Sequence, residues 1–295
     1  MSKISQINYD IQFEPIFTNF TFNGIEIITL TTTPTTSFTL NAAELKIKNC
    51  HLIHKGKTIK AKSVLNVKKE TLVIQFSKKV SGKVKICIDF TGELNDRLLG
   101  FYRSKYKDTS GQTKYLATTQ FEAADARRAL PCWDEPAIKA TFDVSLLVDR
   151  NMTAISNMPE KVKKNVNSKV LVEFQRTPIM STYLLYLGVG EFEFLEDKLR
   201  NIKIRVVTTK GNKKKAHLSL ELTKKFLSEY EKYFGIRYPL PKLDMLAIPD
   251  FAAGAMENWG AITFRETILL YDPKTSSTRT KQYIAEVISH EIAHQ

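Results

Sequence analysis

The sequence predicts a mixed fold, in which an all-β domain over residues 1–193 precedes a truncated α+β domain over residues 194–295. Three observations support this prediction. Apolar and polar residues alternate along most of the first two thirds of the chain, a pattern typical of half-buried strands. After residue 207 the apolar period lengthens to that of a helix. A length of 295 residues also favours two domains over one.

The strands of the first domain are predicted from apolar residues that recur at every second position. These patterns are formed by Tyr9, Ile11 and Phe13, by Phe20 and Phe22, by Ile25 and Ile27, by Leu72, Ile74 and Phe76, and by Val84, Ile86 and Ile88. Further strands are expected at residues 141–148, 169–174 and 180–188. The dipeptide Asn23-Gly24 is compatible with either a tight hairpin or a glycine bulge inside one long strand, and spacing alone does not choose between them.

The second domain is predicted to begin with a strand at residues 201–207 and to continue with a long amphipathic helix. The helical stripe that we expect to pack into the core consists of Leu218, Leu222, Phe226, Tyr230 and Tyr233. Gly235 follows at the position where a glycine in the left-handed conformation is expected to end the helix. Short strands are expected at residues 245–248, 262–264 and 268–270. Residues 276–278, Ser-Ser-Thr, are candidate N-caps for a last helix that reaches the C-terminus.

Composition excludes disordered, fibrous and membrane classes. Hydrophobic residues make up 43% and charged residues 25% of the chain, as in an ordinary soluble globular protein. The N-terminus has no apolar segment typical of a secretory signal or an anchor, and no stretch is long enough to span a membrane. Cys50, Cys87 and Cys132 are odd in number and scattered, which favours reduced thiols. We therefore expect a cytoplasmic protein without a membrane partner.

The net charge of +13, from 44 basic and 31 acidic residues, raises the question of a nucleic-acid partner. The excess is spread along the chain, with only short clusters at residues 161–164 and 213–215, and no nucleic-acid-binding motif accompanies it. A solvated basic surface is the better interpretation. We expect no nucleic-acid partner, and the sequence does not predict the oligomeric state.

A zinc half-site is predicted near the C-terminus, where residues 290–294 read His-Glu-Ile-Ala-His. This H-E-x-x-H pattern on a helix places His290 and His294 one turn apart on one face, where both imidazoles can bind one metal ion. A catalytic zinc needs three protein ligands and an open position. Glu291 lies between the two ligands and is suited to take the proton of an attacking water molecule.

The surroundings of the motif favour a metal site over a chance match on a surface helix. Apolar residues occupy several faces of the helix, at Tyr283, Ile284, Val287, Ile288 and Ile292. We therefore expect a buried helix, in which histidines and a carboxylate need a metal or other partners. The remaining histidines, His51, His54 and His217, lie in polar, lysine-rich stretches and are interpreted as surface residues.

A second motif, Gly-Ala-Met-Glu-Asn at residues 254–258, lies upstream of the histidine pair. A third stretch runs over residues 119–128, Thr-Gln-Phe-Glu-Ala-Ala-Asp-Ala-Arg-Arg, and continues at residues 131–136, Pro-Cys-Trp-Asp-Glu-Pro. The combination of these motifs with H-E-x-x-H resembles the aminopeptidase N family of zinc exopeptidases, over nearly the whole chain. The resemblance implies a β-saddle N-terminal domain, a thermolysin-like catalytic domain and one zinc ion per full-length chain.

The resemblance also implies a substrate-binding site for peptides with a free N-terminal amine, formed by Gln120, Glu122, Gly254, Ala255, Met256, Glu257 and Asn258. A glycine at position 254 lets a peptide backbone approach closely, and the extended segment around it can pair with a peptide as an added strand. Glu257, and by resemblance Glu122, would hold the α-ammonium group. Charged residues near Glu122 are expected to form structural ion pairs at the domain junction: Asp125, Arg127, Arg128, Asp134 and Glu135.

In the family, the third zinc ligand is a glutamate on the following helix, and a tyrosine that stabilises the oxyanion also lies downstream of the second histidine. The chain ends at Gln295. We therefore expect an N-terminal fragment, inactive alone, of an aminopeptidase that releases N-terminal amino acids from peptides, although a degenerate stand-alone protein is compatible with the same residues.

Three alternative functions remain at this stage. The chain could be a catalytically inactive peptide-binding or interaction module. An epoxide hydrolase with aminopeptidase activity belongs to the same superfamily, but Ala255 favours the plain peptidase. A thermolysin-like endopeptidase would not need Glu257 and Glu122.

Overall fold

The computed structural model describes residues 3–295, which divide into two compact units. Unit 1 comprises the residues up to 102 together with 119–150 and 160–185. Unit 2 comprises residues 103–118, 151–159 and 186–295. The domain boundary at 193/194 stays a prediction, and the last passage of the chain from unit 1 into unit 2 lies at 185/186.

The predicted mixed fold is confirmed, because strands dominate the first two thirds of the chain and the longer helices lie near its end. The strands are β1 (Ile4–Ile16), β2 (Thr21–Asn41), β3 (Lys46–His54), β4 (Lys57–Lys60), β5 (Lys62–Asn66), β6 (Thr71–Glu93), β7 (Gly100–Lys107), β8 (Thr113–Gln120), β9 (Thr141–Asp149), β10 (Thr153–Ser156), β11 (Glu160–Val166), β12 (Lys169–Phe174), β13 (Leu187–Gly190), β14 (Phe192–Leu199), β15 (Ile202–Thr209), β16 (Lys242–Ile248), β17 (Ala255–Met256) and β18 (Ala261–Arg265). The helices are α1 (His217–Phe234), α2 (Glu266–Leu269) and α3 (Thr278–Ala293).

Unit 1 is built on a nine-stranded sheet in the order β11-β12-β9-β1-β2-β6-β3-β4, with β5 also paired to β6. Asn23 and Gly24 lie inside β2 and pair in continuous register with Glu14 and Phe13 of β1. Neither the hairpin nor the bulge that the dipeptide suggested is therefore present. A Cβ atom at Gly24 would overlap the ring of Phe90, so the glycine makes room for that ring in the core.

Unit 2 contains a five-stranded mixed sheet in the order β14-β15-β16-β18-β17. Strands β15, β16 and β18 are parallel to one another, whereas β14 and β17 are antiparallel edge strands. Helices α1 and α3 pack on this sheet through a cluster that includes Leu220, Leu227, Ile284 and Ile288. A smaller sheet in the order β10-β13-β8-β7 draws most of its residues from the same unit.

The long helix is confirmed as α1, and Gly235 ends it in the left-handed conformation with φ of 69°. The prediction that Tyr233 packs into the core is wrong, since its exposed fraction is 82%. The fully buried face of α1 instead contains Leu220, Thr223 and Leu227, and the predicted stripe lies along one side of it.

Two predicted strands are also corrected. Residues 268–270 lie in and just after the short helix α2, because the Leu270 amide closes a helical turn on the carbonyl of Glu266. Residues 180–188 contain a 3₁₀ turn at Thr182–Leu184 before β13 begins. Among residues 3–295, no helix is long and apolar enough to cross a membrane.

Candidate functional site

Helix α3 carries the histidine pair and is fixed in unit 2 at its start and along one face. Its N-cap is Ser277, whose Oγ accepts a hydrogen bond of 3.1 Å from the Thr280 amide, as the serine-rich start predicted. Ile284, Ile288 and Ile292 recur at helical spacing and are buried in the core of the unit. The apolar face therefore determines which way the motif residues on the other positions of α3 point.

His290 and His294 lie side by side at the end of α3, with their Nε2 atoms 3.1 Å apart. The ring centroids are 4.8 Å apart and the ring planes meet at 71°. Two nitrogens bound to one tetrahedral zinc at 2.0 to 2.1 Å are about 3.3 Å apart. The two imidazoles therefore already hold their nitrogens at a separation that suits one zinc ion.

The expectation that α3 is buried around several faces is wrong in this chain. Both histidines are exposed, and Tyr283 has an exposed fraction of 47%. Only the face that points into the core of unit 2 is covered. Glu291 belongs to that covered face, with an exposed fraction of 5%.

Two histidines do not complete a catalytic zinc site, which uses three protein ligands. Within residues 3–295, no group of three or more His, Cys, Asp or Glu side chains is placed to hold a metal ion. His51 and His54 are half-buried on β3 and His217 is exposed at the start of α1. The histidine pair thus offers two imidazoles to a metal ion, without a third ligand in the part of the chain that the structure describes.

The segment at residues 254–258 forms the edge of the five-stranded sheet. Ala255 and Met256 are the two residues of β17, and they pair with Phe264 and Thr263 of β18. The carbonyl of Gly254 accepts a further hydrogen bond of 2.9 Å from the Arg265 amide. Within residues 3–295, β17 has a sheet neighbour on one side only. An edge strand of this kind can in general accept a further strand.

Each residue of this segment has a distinct environment. Met256 and Asn258 are buried, and Asn258 Nδ2 donates to Thr263 Oγ1 over 3.2 Å. Glu257 lies between them and is half-buried. A Cβ atom at Gly254 would meet only Ile268 Cδ1, at an ordinary contact distance of 3.6 Å, so the fold itself does not require glycine there.

The loop of the second motif, residues 257–260 between β17 and β18, is held at its end by a buried ion cluster. The Lys242 ammonium donates to Asp244 Oδ2 over 2.7 Å and to the Gly260 carbonyl over 2.6 Å. Arg205 donates two hydrogen bonds of 2.6 Å to the Asp244 carboxylate. Burial lowers the pKa of Lys242 to about 8. Burial raises the pKa of Asp244, but the two cations outweigh it and hold the pKa below its ordinary value.

Gln120 and Glu122 belong to unit 1, where Gln120 ends β8 and Glu122 follows it. Glu122 is exposed, whereas Gln120 has an exposed fraction of only 8%. The buried Gln120 Oε1 atom has no hydrogen-bond partner among the described residues. An orphaned buried acceptor costs about 1 to 3 kcal/mol, which a ligand N–H group would recover.

Four of the five charged residues near Glu122 form ion pairs as predicted, but these pairs join residues of unit 1 to one another, so their predicted position at the domain junction is not confirmed. They are Arg127–Asp134 at 2.9 Å, Arg127–Glu70 at 3.1 Å, Arg128–Asp125 at 2.8 Å, Arg128–Glu44 at 2.5 Å and Arg128–Glu70 at 3.1 Å. Glu135 is exposed and joins no ion pair within residues 3–295.

Sequence reasoning missed three residues that hold the loop of the second motif: Asn157, Lys242 and Gln295. Lys242 left a weak signal, because a lysine two residues before an aspartate within an apolar strand predicts a buried ion pair. Nothing in the spacing marks Asn157, which is distant in sequence, or Gln295, which simply follows His294.

Comparisons with known proteins extend over both units. Residues 5–184 match the model of the Peptidase M1 N-terminal domain, and residues 218–295 match that of the Peptidase family M1 domain. Aminopeptidase M1 of Arabidopsis thaliana is 44% identical over 97% of this chain and 33% of its own length. Aminopeptidase 2 of Candida albicans is 41% identical over 100% of this chain and 32% of its own. For the puromycin-sensitive aminopeptidase of Caenorhabditis elegans, the identity is 41% over 97% and 31%. The chain spans about a third of the length of these relatives.

Proposed function

Because the chain belongs to peptidase family M1, we propose that it is the N-terminal part of a zinc-dependent aminopeptidase that releases N-terminal amino acids from peptides. The observation that carries the proposal is the histidine pair on α3, whose Nε2 atoms lie 3.1 Å apart in the same unit as the edge strand β17. Unit 2 thus carries two parts that peptide hydrolysis requires, a metal half-site at the end of α3 and an edge strand at which a peptide can bind.

In this proposal His290 and His294 hold one zinc ion, and a third ligand from outside residues 3–295 completes the site. When bound, zinc would act as a Lewis acid on the scissile carbonyl and would lower the pKa of the attacking water.

Glu291 is the general base of the proposed reaction. It lies between the two histidines in sequence and on the covered side of α3, where its carboxylate is shielded from bulk solvent. A carboxylate in such surroundings is suited to take a proton from water and to return it to the leaving amine.

The substrate would bind as a strand added to β17, beside Gly254 and Ala255. Main-chain hydrogen bonds to an edge strand align a peptide regardless of its side chains. Gly254 supports this arrangement because the fold leaves space at its Cα atom, and a missing side chain allows close backbone approach.

Recognition of the free amine is assigned to Glu257, Glu122 and Gln120. Glu257 directly follows β17 and would meet the first residue of a peptide bound there. Gln120 is included by its resemblance to the family motif, and its buried Oε1 atom, which has no hydrogen-bond partner among the described residues, is available to a ligand N–H group. Glu122 is included by its resemblance to the family motif. We also keep a cytoplasmic location as part of the proposal, supported by three buried free thiols.

The test compares an aminoacyl arylamide with its N-acetylated form, using this chain and the complete product of its gene. We expect the complete product to cleave the free-amine substrate and to require zinc. It should not cleave the acetylated substrate, which lacks the positive charge that the carboxylates bind. Equal cleavage of both substrates would contradict amine recognition and favour an endopeptidase. Peptide binding without cleavage, in the presence of zinc, would favour the inactive peptide-binding module.

A further inference from the structure

The Gln295 side chain joins the end of the metal-binding helix to the loop of the second motif. Its Nε2 atom donates to the Glu257 carbonyl over 3.0 Å, and its Oε1 atom accepts from the Gly260 amide over 3.2 Å. The primary amide thus pairs with the loop as a peptide group of a neighbouring strand would. Since Gln295 directly follows His294, these two hydrogen bonds connect a proposed zinc ligand to the backbone of the proposed amine-binding residue.

Other groups of unit 2 hold the far end of the loop. Asn157 Nδ2 donates to the Trp259 carbonyl over 2.9 Å, and Lys242 holds the Gly260 carbonyl. Gly260 has a positive φ of 70°, and a Cβ atom there would overlap the Asn157 carbonyl oxygen. Asn157 and Lys242 therefore hold the carbonyls of residues 259 and 260. Gln295, from the same unit, binds the Gly260 amide and the Glu257 carbonyl.

We propose that Gln295 is a positioning residue that fixes the backbone of Glu257 relative to His290 and His294. The proposal rests on the proposed function, in which these residues read the amine and hold the metal. A substrate must reach both points at once, so the distance between them determines how far the ammonium group lies from the bond that is cut. Gln295 would thereby determine which separation between the ammonium group and the scissile carbonyl the site accepts.

This role predicts discrimination between α- and β-amino acids. In a β-alanyl substrate one additional methylene moves the ammonium group about 1.5 Å farther from the carbonyl than in an alanyl substrate. A rigid connection between Glu257 and α3 excludes the longer β-alanyl substrate, whereas a mobile loop can adjust and bind it. A residue that merely stabilised the fold would alter the rates for both substrates alike.

The first test measures amide hydrogen exchange in the 295-residue chain, with Gln295→Met as the variant and Gln282→Met as the matched control. Gln282 is an exposed glutamine of α3, the helix that ends two residues before Gln295. We expect the Gly260 amide of the Gln295 variant to exchange roughly 10-fold faster, since it loses its acceptor. The Ala261 amide, which donates to the Asn258 carbonyl over 3.0 Å, should keep its rate. Unchanged exchange at Gly260, or equal acceleration at both amides, would overturn the proposal.

The second test measures kcat/KM for alanyl and β-alanyl arylamides in the complete gene product. Gln295→Met should lower the preference for the alanyl substrate roughly 10-fold, and Gln282→Met should leave it unchanged. Gln295→Glu keeps an acceptor for Gly260 but loses the donor to Glu257, so it should retain the amide protection while the preference still falls. An unaltered preference in both Gln295 variants would overturn the proposal. A wild-type protein that cleaves neither substrate counts against the proposed function, and the exchange rates then decide alone whether Gln295 holds the loop.

Discussion

Glu26 is an ionisable residue that is fully buried in the core of unit 1. It lies on β2 among core residues with no exposed surface, and neither carboxylate oxygen has a hydrogen-bond partner within residues 3–295. Burial raises the pKa of Glu26 well above its ordinary value of 4.5. The unfolded chain therefore releases this proton at a lower pH than the folded chain does, so the contribution of Glu26 to stability falls as pH rises above about 4.5.

We predict that Glu26→Leu stabilises unit 1, because it removes an unsatisfied carboxyl group from an apolar core. The gain in the free energy of unfolding should be about 1 to 3 kcal/mol at neutral pH, and it should grow between pH 5 and pH 8. Urea denaturation at several pH values measures it.

Glu14 is a suitable control because its pKa is shifted in the opposite direction, below its ordinary value. Burial raises its pKa, but hydrogen bonds from Asn23 and Lys169 outweigh burial and lower it. Glu14→Gln should therefore reduce stability at neutral pH, with an effect that disappears in acid. A Glu26→Leu protein that is less stable than wild type at every pH would contradict the prediction for Glu26.

Glu291 is predicted to act by proton transfer and not as a zinc ligand. In the complete gene product, Glu291→Gln should keep its zinc and lose turnover by a factor on the order of 100 to 10,000, the usual contribution of a general base. Zinc analysis and kcat measured on the same sample provide the check. Full turnover in the variant, or loss of zinc with turnover restored by adding metal, would show that Glu291 has another role.

The strand β17 and the loop that follows it lie between two glycines, Gly254 and Gly260, whose structural roles differ. Gly254→Ala should leave the free energy of unfolding within about 0.5 kcal/mol of wild type, since its Cβ atom meets only Ile268. Under the proposed function it should lower kcat/KM for peptides, because a peptide paired with β17 would approach the backbone there. Gly260→Ala should cost about 1 to 3 kcal/mol of stability, because of its positive φ and the overlap with Asn157. Thermal unfolding and peptide kinetics together check both substitutions, and equal effects would contradict the assignment.

The sequence predicted those elements whose signals are local. Strand β12 has the predicted bounds, and α1 ends at the predicted glycine. Residues 268–270 are an apolar run too short to distinguish a strand from a helical turn. Tyr233 was misplaced because the buried face of α1 includes the polar Thr223 and Glu231, which an apolar stripe does not mark.

The same distinction applies to the candidate site. The motif residues at 254–258 and 290–294 could be found because each motif is contiguous in the sequence. Gln295 could not, because its role depends on contacts with a loop more than thirty positions away, at separations of 38 and 35 residues. Tertiary contacts of this kind leave no periodic pattern in a single sequence.

For the molecule as a whole, we predict that the purified 295-residue chain holds little zinc and hydrolyses no aminoacyl arylamide. It supplies two exposed imidazoles, whereas a stable catalytic site needs three ligands with supporting hydrogen bonds. Elemental analysis and an activity assay with and without a chelator test this. One tightly bound zinc per chain, with turnover abolished by the chelator, would contradict it and point to a ligand from a second chain.

The interleaving of the two units affects the order in which the protein can assemble during translation. The chain passes between the units at 102/103, 118/119, 150/151, 159/160 and 185/186. Thr118 on β8 pairs with Gly188 on β13, which is synthesised about 70 residues later. At 5 to 20 residues per second, β8 waits roughly 4 to 14 s with one edge unpaired on the ribosome. Such an edge is a template for pairing with another nascent chain. Messages truncated between codons 120 and 186 should therefore yield the most aggregation-prone products of this gene.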